Sequence, residues 1–332
     1  MNVFVTGASG FVGTHLVKRL VADGHTVYAL VRTTSAIDEL QRSGVQLVFH
    51  DEIHEKSAFR DIFLKHSDIQ VVYHLASIVT LASVTYDDYW RSNVLATQHL
   101  LDACREVNLS AFVYCSSVGV IGPLSDVPAN EESPCRPDSS YGKTKYEAER
   151  LALEYYHKYH MPITVIRPAW IYGPGDRRTF TFFRMVAYGR FFYIGDGRTL
   201  ISPVYVDDVV QALLLGAKHI DRSQGEVFIA AGKESVSLEF LAEQVAREAG
   251  SSILPFRIPA TLATIVAAAC ETLCKPLGLE PPIHRHRLDF FFRNQAFDIS
   301  KIQRTLGYSP QFDVPTGVRQ AIRWYKDRGW LK

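Results

Sequence analysis

The sequence lacks a dominant charge of either sign. Its 36 Lys and Arg residues almost balance its 35 Asp and Glu residues, which leaves a net charge of +1 at pH 7. Without a basic surplus there is no electrostatic reason to expect a nucleic-acid partner, and without an acidic excess there is no reason to expect a disordered chain. The chain has 332 residues, 47% of them hydrophobic. This is enough for a sizeable core and predicts two lobes.

Cysteine is scarce as well. The five cysteines are an odd number, no two of them have C-x-x-C spacing, and Cys270 and Cys274 lie four residues apart, as on one face of a helix. This pattern argues against a disulfide framework and favours reduced thiols, so we expect a cytoplasmic protein. His284 and His286 flank an arginine, but no third ligand follows at a sensible spacing, and we therefore expect no metal site.

Long hydrophobic runs are also missing. The longest apolar stretch is unbroken only over Leu262–Cys270, and Glu271 and Lys275 follow it. It is far shorter than the roughly 20 residues that span a bilayer. No basic region precedes the apolar run that starts at Val3, so no signal peptide is predicted. The segment 260–279 is expected to form a lid or core helix, with contact to a membrane surface as the alternative.

The sequence does contain a regular alternation of strand-like and helix-like segments. This alternation predicts an α/β fold, a doubly wound, Rossmann-type parallel sheet with right-handed crossovers. After about residue 175 the pattern loosens. We therefore divide the chain into a dinucleotide-binding domain at 1–175 and a smaller, less regular substrate-binding lobe at 176–332, with a return to the first domain around 201–232. The six predicted strands are NVFVTG, TVYALV, VQLVFH, VVYHLAS, AFVYCSS and ITVIRPAWIYG.

Helical periodicity predicts the connections between these strands. The first helix ends at Gly24, a short one covers Ser57–His66, and two long helices cover Asp88–Val107 and Gly142–His160. In the second lobe VSLEFLAEQVAREAG is amphipathic, with Ser237 or the preceding turn as its N-terminal cap. Two short helices are predicted at the end of the chain.

Three glycines with the spacing G-x-x-G-x-x-G separate the first strand from the first helix. Gly7 can make the tight turn out of the strand, Gly10 can let the backbone approach a pyrophosphate, and Gly13 can let the helix pack closely on the strand. The helix N-terminus then offers N–H groups and a positive dipole end to phosphate oxygens. This predicts a dinucleotide site rather than a turn with glycines for packing only. Other residues of the turn that we expect to contact the cofactor are Ser9, Phe11 and Val12.

The end of the second strand indicates which dinucleotide binds. An NAD site usually has an acid there, which accepts from the ribose hydroxyls. This chain has Arg32, whose guanidinium suits a 2′-phosphate, so NADP(H) is favoured over NAD(H), with a solvated surface arginine as the alternative. Asp51 is expected to accept from the adenine amino group, or to be a plain loop acid, and Ile53 is expected to pack on the ring. Further cofactor contacts are expected from Leu75, Ala76 and Ser77 and from Pro168 and Ala169, at the ends of the fourth and sixth strands.

The segment YGKTK carries the candidate catalytic pair. Tyr141 and Lys145 lie four residues apart, hence on one face of a helix. A tyrosine of pKa about 10 is a poor base near neutral pH, and an ammonium beside it, together with a positive nicotinamide ring, is expected to lower that pKa. Ser117, at the end of the fifth strand, is expected to donate to or orient the same substrate oxygen, with Ser116 as the alternative. Asn93 is expected to support the lysine through backbone or water.

Several motifs recur together over roughly residues 1–215: TGASGFVG, HLAS, SNVLAT, YCSSVGVIG, YGKTK, RPAWIYGPG and PVYVDDVVQA. With these motifs the chain resembles the extended short-chain dehydrogenase/reductase superfamily, also described as the NAD-dependent epimerase/dehydratase superfamily. The remainder is similar, less specifically, to its 3β-hydroxysteroid dehydrogenase and dihydroflavonol reductase branch. The resemblance implies Tyr141 as acid/base, Lys145 as its partner and ribose ligand, Ser117 as donor to the substrate oxygen, and Asn93 in support.

Two departures from family patterns narrow the expected reaction. The 4,6-dehydratases and decarboxylases of the superfamily that act on sugar nucleotides carry acidic residues just after the catalytic hydroxyl, where this chain has Val118 and Gly119. Epimerases that recycle a bound NAD usually keep the acid that Arg32 replaces. We therefore expect a net NADP(H)-dependent oxidoreductase that interconverts a ketone and a secondary alcohol, with a nucleotide-sugar 4-epimerase or 4-ketoreductase as the alternative. The resemblance also implies a homodimer in which helices 88–107 and 142–160 form a four-helix bundle.

The second lobe gives two conflicting indications about the substrate. Its aromatic residues suit an apolar or polycyclic, steroid- or flavonoid-like molecule, although most of them are expected to pack the lobe itself. Its arginines can grip the diphosphate of a sugar nucleotide or be solvated surface charges. The aromatic residues are Phe180, Phe182, Phe183, Phe191, Phe192, Tyr193, Phe290, Phe291 and Phe292. The arginines are Arg177, Arg178, Arg184, Arg198, Arg285 and Arg287.

Overall fold

The computed structural model describes residues 1–79, 84–274 and 285–332. The strands are β1 (Asn2–Thr6), β2 (Thr26–Val31), β3 (Gln46–Phe49), β4 (Val71–His74), β5 (Ala111–Cys115), β6 (Ile163–Pro168), β7 (Trp170–Tyr172), β8 (Tyr193–Ile194), β9 (Leu200–Ile201), β10 (Pro203–Tyr205), β11 (Val227–Ala230), β12 (Val236–Ser237) and β13 (Arg257–Ile258). The helices are α1 (Phe11–Ala22), α2 (Asp38–Arg42), α3 (Lys56–Lys65), α4 (Tyr86–Trp90), α5 (Ala96–Cys104), α6 (Ser140–Tyr159), α7 (Phe180–Ala187), α8 (Val206–Lys218), α9 (Ile220–Ser223), α10 (Leu238–Ala249), α11 (Ala260–Cys274), α12 (Arg285–Phe292), α13 (Ser300–Leu306) and α14 (Val314–Asp327).

A parallel sheet of seven strands, in the order β11-β6-β5-β4-β1-β2-β3, forms the centre of the molecule. The register places Val5 of β1 opposite Ala29 of β2 on one side and Tyr73 of β4 on the other. The strand order therefore reverses between β1 and β4, and ligands of open α/β sheets bind outside the carboxyl ends of the strands at such a reversal. The predicted Rossmann-type fold class is confirmed.

Both faces of the sheet are buried, which is why its strands are almost continuously apolar. Val3 and Val5 belong to the core cluster that includes Leu16 of α1 and the inner face of α8. Phe4, between them, points to the opposite face, where it packs in the cluster that contains Leu100 of α5. The period of two along β1 thus separates two cores, one on each face of the sheet.

The segment after residue 176 also contributes to this sheet. β11 pairs with β6 at one edge, with Ala230 opposite Pro168. The other strands after β6 form separate two-stranded pairs: β10 with β7, β12 with β9 and β13 with β8. The division of the chain at residue 175 remains a prediction about its domain organisation.

A third core cluster holds the C-terminal region together. It joins Phe183 of α7, Leu241 of α10 and Val318 and Tyr325 of α14. The predicted amphipathic helix is α10, and the predicted cap is confirmed, because Ser237 Oγ accepts from the Phe240 N–H at 3.1 Å. The two predicted terminal helices correspond to α13 and α14.

The predicted sixth strand is wrong in its extent. The structure breaks ITVIRPAWIYG at Ala169, so that β6 ends at Pro168 and β7 begins at Trp170. Pro168 has no N–H to donate to a ladder, and the Ala169 N–H donates to the carbonyl of Ala230 at 2.9 Å. The chain then leaves the large sheet, and β7 pairs with β10.

The predicted helix Asp88–Val107 also has different bounds. It begins at Tyr86, because Thr85 and Asp88 form a capping box in which each backbone N–H donates to the other's side chain, at 2.9 Å and 3.3 Å. It ends at Cys104 and contains a π-helical turn at Arg91–Leu95, between α4 and α5. Single π-helical turns inside α-helices are frequent at functional sites.

Three smaller differences concern the start of α6 and two elements that were not predicted, of which one is the edge strand β11. α6 begins at Ser140, earlier than predicted, because Ser139 Oγ accepts from the Gly142 N–H at 3.0 Å. The short helix α2, between β2 and β3, was not predicted. Of the apolar segment 260–279, residues 260–274 belong to α11, and the remainder lies outside the described residues. None of the helices in the described ranges combines the length and the hydropathy needed to traverse a bilayer.

Candidate active site

The glycine turn connects β1 to α1 at the carboxyl edge of the sheet. Gly7 has φ +69°, a conformation that favours glycine. A Cβ at Gly7 would also lie 2.7 Å from the backbone nitrogen of Ala76, and one at Gly13 would lie 2.1 Å from the Gly7 carbonyl oxygen. Gly7 and Gly13 therefore allow close backbone packing of the turn against β4 and against α1.

Gly10 is less tightly packed than the other two glycines. The single atom near a Cβ built there is the Gly7 carbonyl oxygen, at 3.1 Å. Gly10 is also the N-cap residue of α1, and no side chain caps this helix. The uncapped helix end and the space beside Gly10 fit a pyrophosphate, which the N–H groups and the positive end of the helix dipole would hold.

A cavity of about 1380 Å³ begins at this turn and crosses the carboxyl edge of the sheet. Its volume exceeds that of pockets for single drug-sized ligands, roughly 300–1,000 Å³, and leaves room for a substrate beside a dinucleotide. Two predicted site residues, Lys145 and Asn93, do not line it. The predicted site residues that do are Gly7, Ser9, Gly10, Phe11, Val12, Gly13, Arg32, Asp51, Ile53, Leu75, Ala76, Ser77, Ser117, Tyr141, Pro168 and Ala169.

At one end of the cavity lies the segment that follows β2. The backbone N–H of Arg32 donates to Ser35 Oγ at 3.1 Å. The carboxylate of Asp51 accepts from the backbone N–H of Thr33 at 2.8 Å and from its hydroxyl at 2.9 Å and 3.0 Å. Within the described residues the Arg32 guanidinium has no acidic partner. The sequence did not predict this Thr33–Asp51 contact, which joins the ends of β2 and β3.

Tyr141 lies at the other end of the cavity, in the first turn of α6. Burial raises the pKa of its phenol to about 12, while the charge of Arg178 and a hydrogen bond with Ser117 act in the opposite direction. The pKa is raised because the apolar surroundings of the ring disfavour the phenolate more than the neighbouring groups favour it. The sequence predicted a lowered pKa in the presence of a positive nicotinamide ring, and this stays a prediction for the protein with bound cofactor.

Lys145 lies one turn further along α6 and is 1% exposed. Its ammonium donates to the carbonyl of Cys115 at 2.6 Å and lies 4.2 Å from the centre of the Tyr114 ring. Burial lowers the pKa of Lys145 to about 8. The lysine is thus behind the cavity wall, at the end of β5.

Ser117 and its neighbour have different roles. Ser116 is 4% exposed, and its hydroxyl donates to a carboxylate oxygen of Glu149 at 2.7 Å. Ser117 lines the cavity with Tyr141 and acts to lower the pKa of its phenol, and the Ser117 Oγ accepts from the Gly119 N–H at 3.1 Å. Of the two serines that the sequence left open, Ser117 is therefore the one directed at Tyr141.

Asn93 lies in the π-helical turn and contacts two segments of the site. Its Oδ1 accepts from the Ile78 N–H at 2.8 Å, and its Nδ2 donates to the Thr144 hydroxyl at 3.0 Å. The sequence predicted support of Lys145 through backbone or water. The direct contacts of Asn93 are instead with the loop after β4 and with the residue before Lys145.

His74 is a residue that the sequence analysis did not single out, although it belongs to the HLAS motif. It is fully buried, with Nδ1 2.7 Å from Thr6 Oγ1 and Nε2 2.9 Å from Thr97 Oγ1. Burial, together with the charge of Lys145, lowers the pKa of His74 to about 3, so the ring is neutral at physiological pH. The Thr97 hydroxyl donates to the Asn93 carbonyl at 2.6 Å. These contacts connect β1, β4 and the π-helical turn.

A buried ion pair, also not predicted, lies behind Ser116. Arg167 of β6 and Glu149 of α6 are 4% and 1% exposed, and their side chains approach to 2.5 Å. Nη2 of Arg167 also lies 3.3 Å from the Cys135 sulfur. The pair fixes α6 against the ends of β5 and β6, next to Ser117.

At the Tyr141 end, the wall contains Trp170, Phe182 and Phe290, with ring centres 5.7–6.2 Å apart. Most of the other aromatic residues considered above pack the C-terminal core, as expected. Of the arginines, Arg178 lines the cavity, whereas Arg177 lies over the Trp330 ring. The side chains of Arg285 and Arg287 lie outside the described residues.

His284 also lies outside the described residues. In the part of the chain that is described, no group of three or more His, Cys, Asp or Glu residues is arranged to hold a metal ion.

Comparisons with known proteins extend over nearly the whole chain. The family model described as "NAD dependent epimerase/dehydratase family" matches residues 3–231. The sterol-4-alpha-carboxylate 3-dehydrogenase (decarboxylating) of Schizosaccharomyces pombe is 27% identical over 98% of this chain and 97% of its own. The 3beta-hydroxysteroid-dehydrogenase/decarboxylase isoform 1 of Arabidopsis thaliana is 29% identical over 96% of this chain and 78% of its own.

A solved structure of an epimerase also resembles this chain. The UDP-glucuronic acid 4-epimerase from Bacillus cereus, in complex with NAD, superimposes with a TM-score of 0.78 at 26% identity. The match covers 98% of this chain and 97% of that chain.

Proposed function

The chain belongs to the NAD-dependent epimerase/dehydratase family of extended short-chain dehydrogenases/reductases and is an enzyme, and on that premise we propose that it is a net NADP(H)-dependent oxidoreductase. In this proposal it interconverts a ketone and a secondary alcohol on an apolar, ring-containing small molecule. One observation carries the proposal: Tyr141 and Ser117 lie together at the wall of the large cavity, where Ser117 acts to lower the pKa of the phenol, with Lys145 on the next turn of the same helix.

The proposed roles follow from the family resemblance and from the positions of these residues along α6 and after β5. Tyr141 gives its proton to the carbonyl oxygen during reduction and takes it back during oxidation. Ser117 donates a hydrogen bond to the same oxygen and stabilises the negative charge that develops there. Lys145, with a pKa of about 8, is mainly protonated at neutral pH, and its positive charge favours the phenolate form of Tyr141.

For the cofactor we propose NADP(H) in preference to NAD(H). The nicotinamide ring supplies hydride for reduction and accepts it in oxidation. The glycine turn and the uncapped end of α1 would hold the pyrophosphate, and Arg32 would pair with the 2′-phosphate. Two observations support this choice: the Arg32 guanidinium has no acidic partner in the described part of the chain, and the Asp51 carboxylate is bound to Thr33.

For the substrate we propose an apolar ring system. The support is the wall of Trp170, Phe182 and Phe290 beside Tyr141. Binding pockets for small molecules combine such apolar walls with a few polar groups that set orientation. Here Ser117 and Tyr141 would provide that orientation.

The second candidate is a nucleotide-sugar 4-epimerase or 4-ketoreductase. It is favoured by the likeness to the solved UDP-glucuronic acid 4-epimerase and by the size of the cavity, about 1380 Å³. An epimerase of this kind would return the hydride to its substrate and produce no net reduction of cofactor.

The experiment that separates the two candidates follows the absorbance of reduced nicotinamide. The purified protein is mixed with NADP⁺ or NAD⁺ and a panel of ring-containing secondary alcohols, with Tyr141→Phe as the control. We expect net formation of reduced cofactor, faster with NADP⁺, and its loss in the variant. A tightly held NAD that co-purifies, with epimerisation of a nucleotide sugar and no net absorbance change, would establish the second candidate instead.

Two further properties are part of the proposal. A homodimer through the helices of residues 86–104 and 140–159 is proposed on the family resemblance, and light scattering of the purified protein tests it. A cytoplasmic location is proposed because the five cysteines are free thiols, as is usual in a reducing compartment.

A further inference from the structure

A line of buried polar side chains connects the glycine turn to α6. Each member is at most 1% exposed and is hydrogen-bonded within the line. Buried polar groups are costly unless they are bonded, so such a line is a defined feature of the fold. The proposed function leaves His74, at its centre, without a role. The members are Thr6, His74, Thr97, Asn93 and Thr144.

The donors and acceptors around His74 follow from the two ends of its part of the line. At one end, the Ala76 N–H, which can only donate, donates to Thr6 Oγ1 at 3.1 Å. At the other end, the Thr97 hydroxyl donates to the Asn93 carbonyl, which can only accept, at 2.6 Å. The imidazole lies between the two hydroxyls, with Nδ1 2.7 Å from Thr6 Oγ1 and Nε2 2.9 Å from Thr97 Oγ1.

This arrangement assigns one tautomer to His74. A hydroxyl has a single proton to donate, and that of Thr97 lies in the bond to Asn93. Thr97 Oγ1 must therefore accept from His74, which requires a proton on Nε2. The ring is neutral, and a neutral imidazole has one N–H. Nδ1 is thus without a proton and accepts from the Thr6 hydroxyl.

Nδ1 of His74 holds the side of the site at which we place the cofactor. Thr6 is the last residue of β1, and the glycine turn begins at the next residue. The Thr6 hydroxyl also fixes the backbone of Ala76, which lines the cavity. The packing is close here, because a Cβ at Gly7 would lie 2.7 Å from the Ala76 nitrogen. Loss of the Nδ1 contact would loosen the end of β4 against the glycine turn.

Nε2 of the same ring holds the side that carries the reacting groups. Through Thr97 it fixes the carbonyl of Asn93 in the π-helical turn. The Asn93 side chain donates to the Thr144 hydroxyl at 3.0 Å. That hydroxyl donates in turn to the carbonyls of Ser140 and Tyr141, at 3.0 Å and 3.1 Å. The Nε2 contact therefore acts on the turn of α6 that contains Tyr141.

We propose that His74 is a positioning residue that sets the distance between the cofactor and the Tyr141 hydroxyl, because one ring nitrogen holds the glycine turn and the other holds the π-helical turn. The inference rests on the proposed function and goes beyond it, since His74 does not line the cavity. A displacement of about 1 Å at a reacting centre can lower the rate on the order of 100-fold. A residue outside the cavity can affect turnover in this way.

The first experiment separates the two nitrogens by substitution. In His74→Asn the amide oxygen takes the place of Nδ1 and can accept from Thr6, but no group reaches Thr97. In His74→Gln the amide nitrogen takes the place of Nε2 and can donate to Thr97, but Thr6 loses its acceptor. Both variants remove ring volume, so the difference between them isolates the hydrogen bonds.

The readouts are kcat at saturating cofactor and the affinity, by calorimetric titration, for whichever of NADPH and NADH the wild type binds more tightly. We expect His74→Asn to keep its affinity and to lose kcat on the order of 10- to 100-fold. We expect His74→Gln to keep its kcat and to bind the cofactor about 10-fold more weakly. Equal effects of the two variants on both quantities, or the reverse pattern, would overturn the inference.

Thr97→Val leaves the ring in place and tests the Nε2 contact alone. The matched control is Thr164→Val, because Thr164 is equally buried and its hydroxyl lies 2.7 Å from Ser223 Oγ, outside the line. Both substitutions keep a similar side-chain shape and leave one buried partner unbonded. We expect kcat to fall only in Thr97→Val. An unchanged kcat in that variant, or an equal fall in the control, would overturn the inference.

The tautomer can be measured in the wild-type protein without turnover. Proton–nitrogen correlation spectra of the labelled histidine side chains distinguish protonated from unprotonated ring nitrogens, and the signals that move in Thr97→Val identify His74. We expect a proton on Nε2, and a proton on Nδ1 would overturn the inference. A protein that oxidises no alcohol would refute the oxidoreductase, whereas the tautomer and the cofactor affinities of the two His74 variants would still test the positioning role.

Discussion

The two glycines at the start of α1 allow a prediction that separates packing from cofactor binding. A methyl group at Gly13 would lie 2.1 Å from the Gly7 carbonyl oxygen and 2.9 Å from the Ala8 Cα, both of them backbone atoms. Gly13→Ala should therefore lower the free energy of unfolding by roughly 1–3 kcal/mol, the usual cost of overpacking a core.

Gly10→Ala should behave differently. Gly10 has φ −76° and ψ 172°, which alanine adopts without strain. Replacing glycine by alanine at the helix N-cap lowers the stability by up to about 1 kcal/mol. Alanine also reduces the conformational entropy of the unfolded chain, which raises the stability by about 0.4–1 kcal/mol. The added Cβ would lie 3.1 Å from the Gly7 carbonyl oxygen, a tight contact that a shift of about a few tenths of an ångström relieves. The loss of stability should therefore be small, well below that of Gly13→Ala. The added methyl projects into the space that we assign to the pyrophosphate, so cofactor affinity should fall.

The assay measures both quantities on both variants. Urea denaturation of the cofactor-free protein gives the free energy of unfolding, and calorimetric titration with NADPH gives the affinity. Gly10→Ala should lose little stability and bind NADPH weakly. A Gly10→Ala variant that binds NADPH with wild-type affinity, or one that is destabilised as strongly as Gly13→Ala, would refute the assignment of the space beside Gly10.

Three further results are expected. Arg32→Asp places a negative charge beside the 2′-phosphate and should weaken NADPH binding by about 10-fold or more, with little effect on the affinity for NADH. Equal weakening of the binding of both cofactors in a titration would contradict the NADP(H) proposal. Glu149→Gln leaves the buried Arg167 guanidinium without its counter-charge and should lower the free energy of unfolding, measured by urea denaturation, by roughly 3–5 kcal/mol. The control is Ser116→Ala, which removes a hydrogen bond to the same carboxylate and leaves the charges in place. Equal losses of stability in the two variants would show that the charge of Glu149 is not the cause. Burial holds the pKa of Lys145 at about 8 in the folded protein, below its ordinary 10.5, so between these values the unfolded chain binds more protons than the folded protein. The wild type should therefore gain stability relative to Lys145→Met as the pH rises from about 8 to about 10. Parallel curves of unfolding free energy against pH for the two proteins would refute the shift.

Local patterns were sufficient to predict the family and six of the seven strands of the central sheet, but β11 at the edge of the sheet was not predicted as a strand. The strands around the glycine turn are short apolar runs between helical periods, and burial of both sheet faces leaves little ambiguity in such runs. The comparisons confirm the superfamily and its 3β-hydroxysteroid dehydrogenase and dihydroflavonol reductase branch. The break at Ala169 was not predictable in this way, because WIY has the composition of a strand and only its pairing with β10 separates it from β6.

Most of the predicted site residues line one cavity and their roles remain predictions, whereas the electrostatics of the site were not predictable from the sequence. The sign of the Tyr141 pKa shift depends on how deeply the ring is buried, and burial is a property of the assembled fold. Glu149 and Arg167 come from different elements that meet only in the fold, so neither residue has a local signal. Arg177 and Arg178 are equivalent in the sequence, and only the conformation of the turn directs one of them into the cavity.

The central claim is that Tyr141 moves the proton of the reaction. The most direct measurement compares Tyr141→Phe with the wild type in both turnover and NADPH binding, using the best alcohol from the substrate panel. We predict that kcat/KM falls by on the order of 10²–10⁴, the contribution typical of a general acid–base group, while the affinity for NADPH stays within a few fold. A variant that turns over its substrate at the wild-type rate would contradict the account.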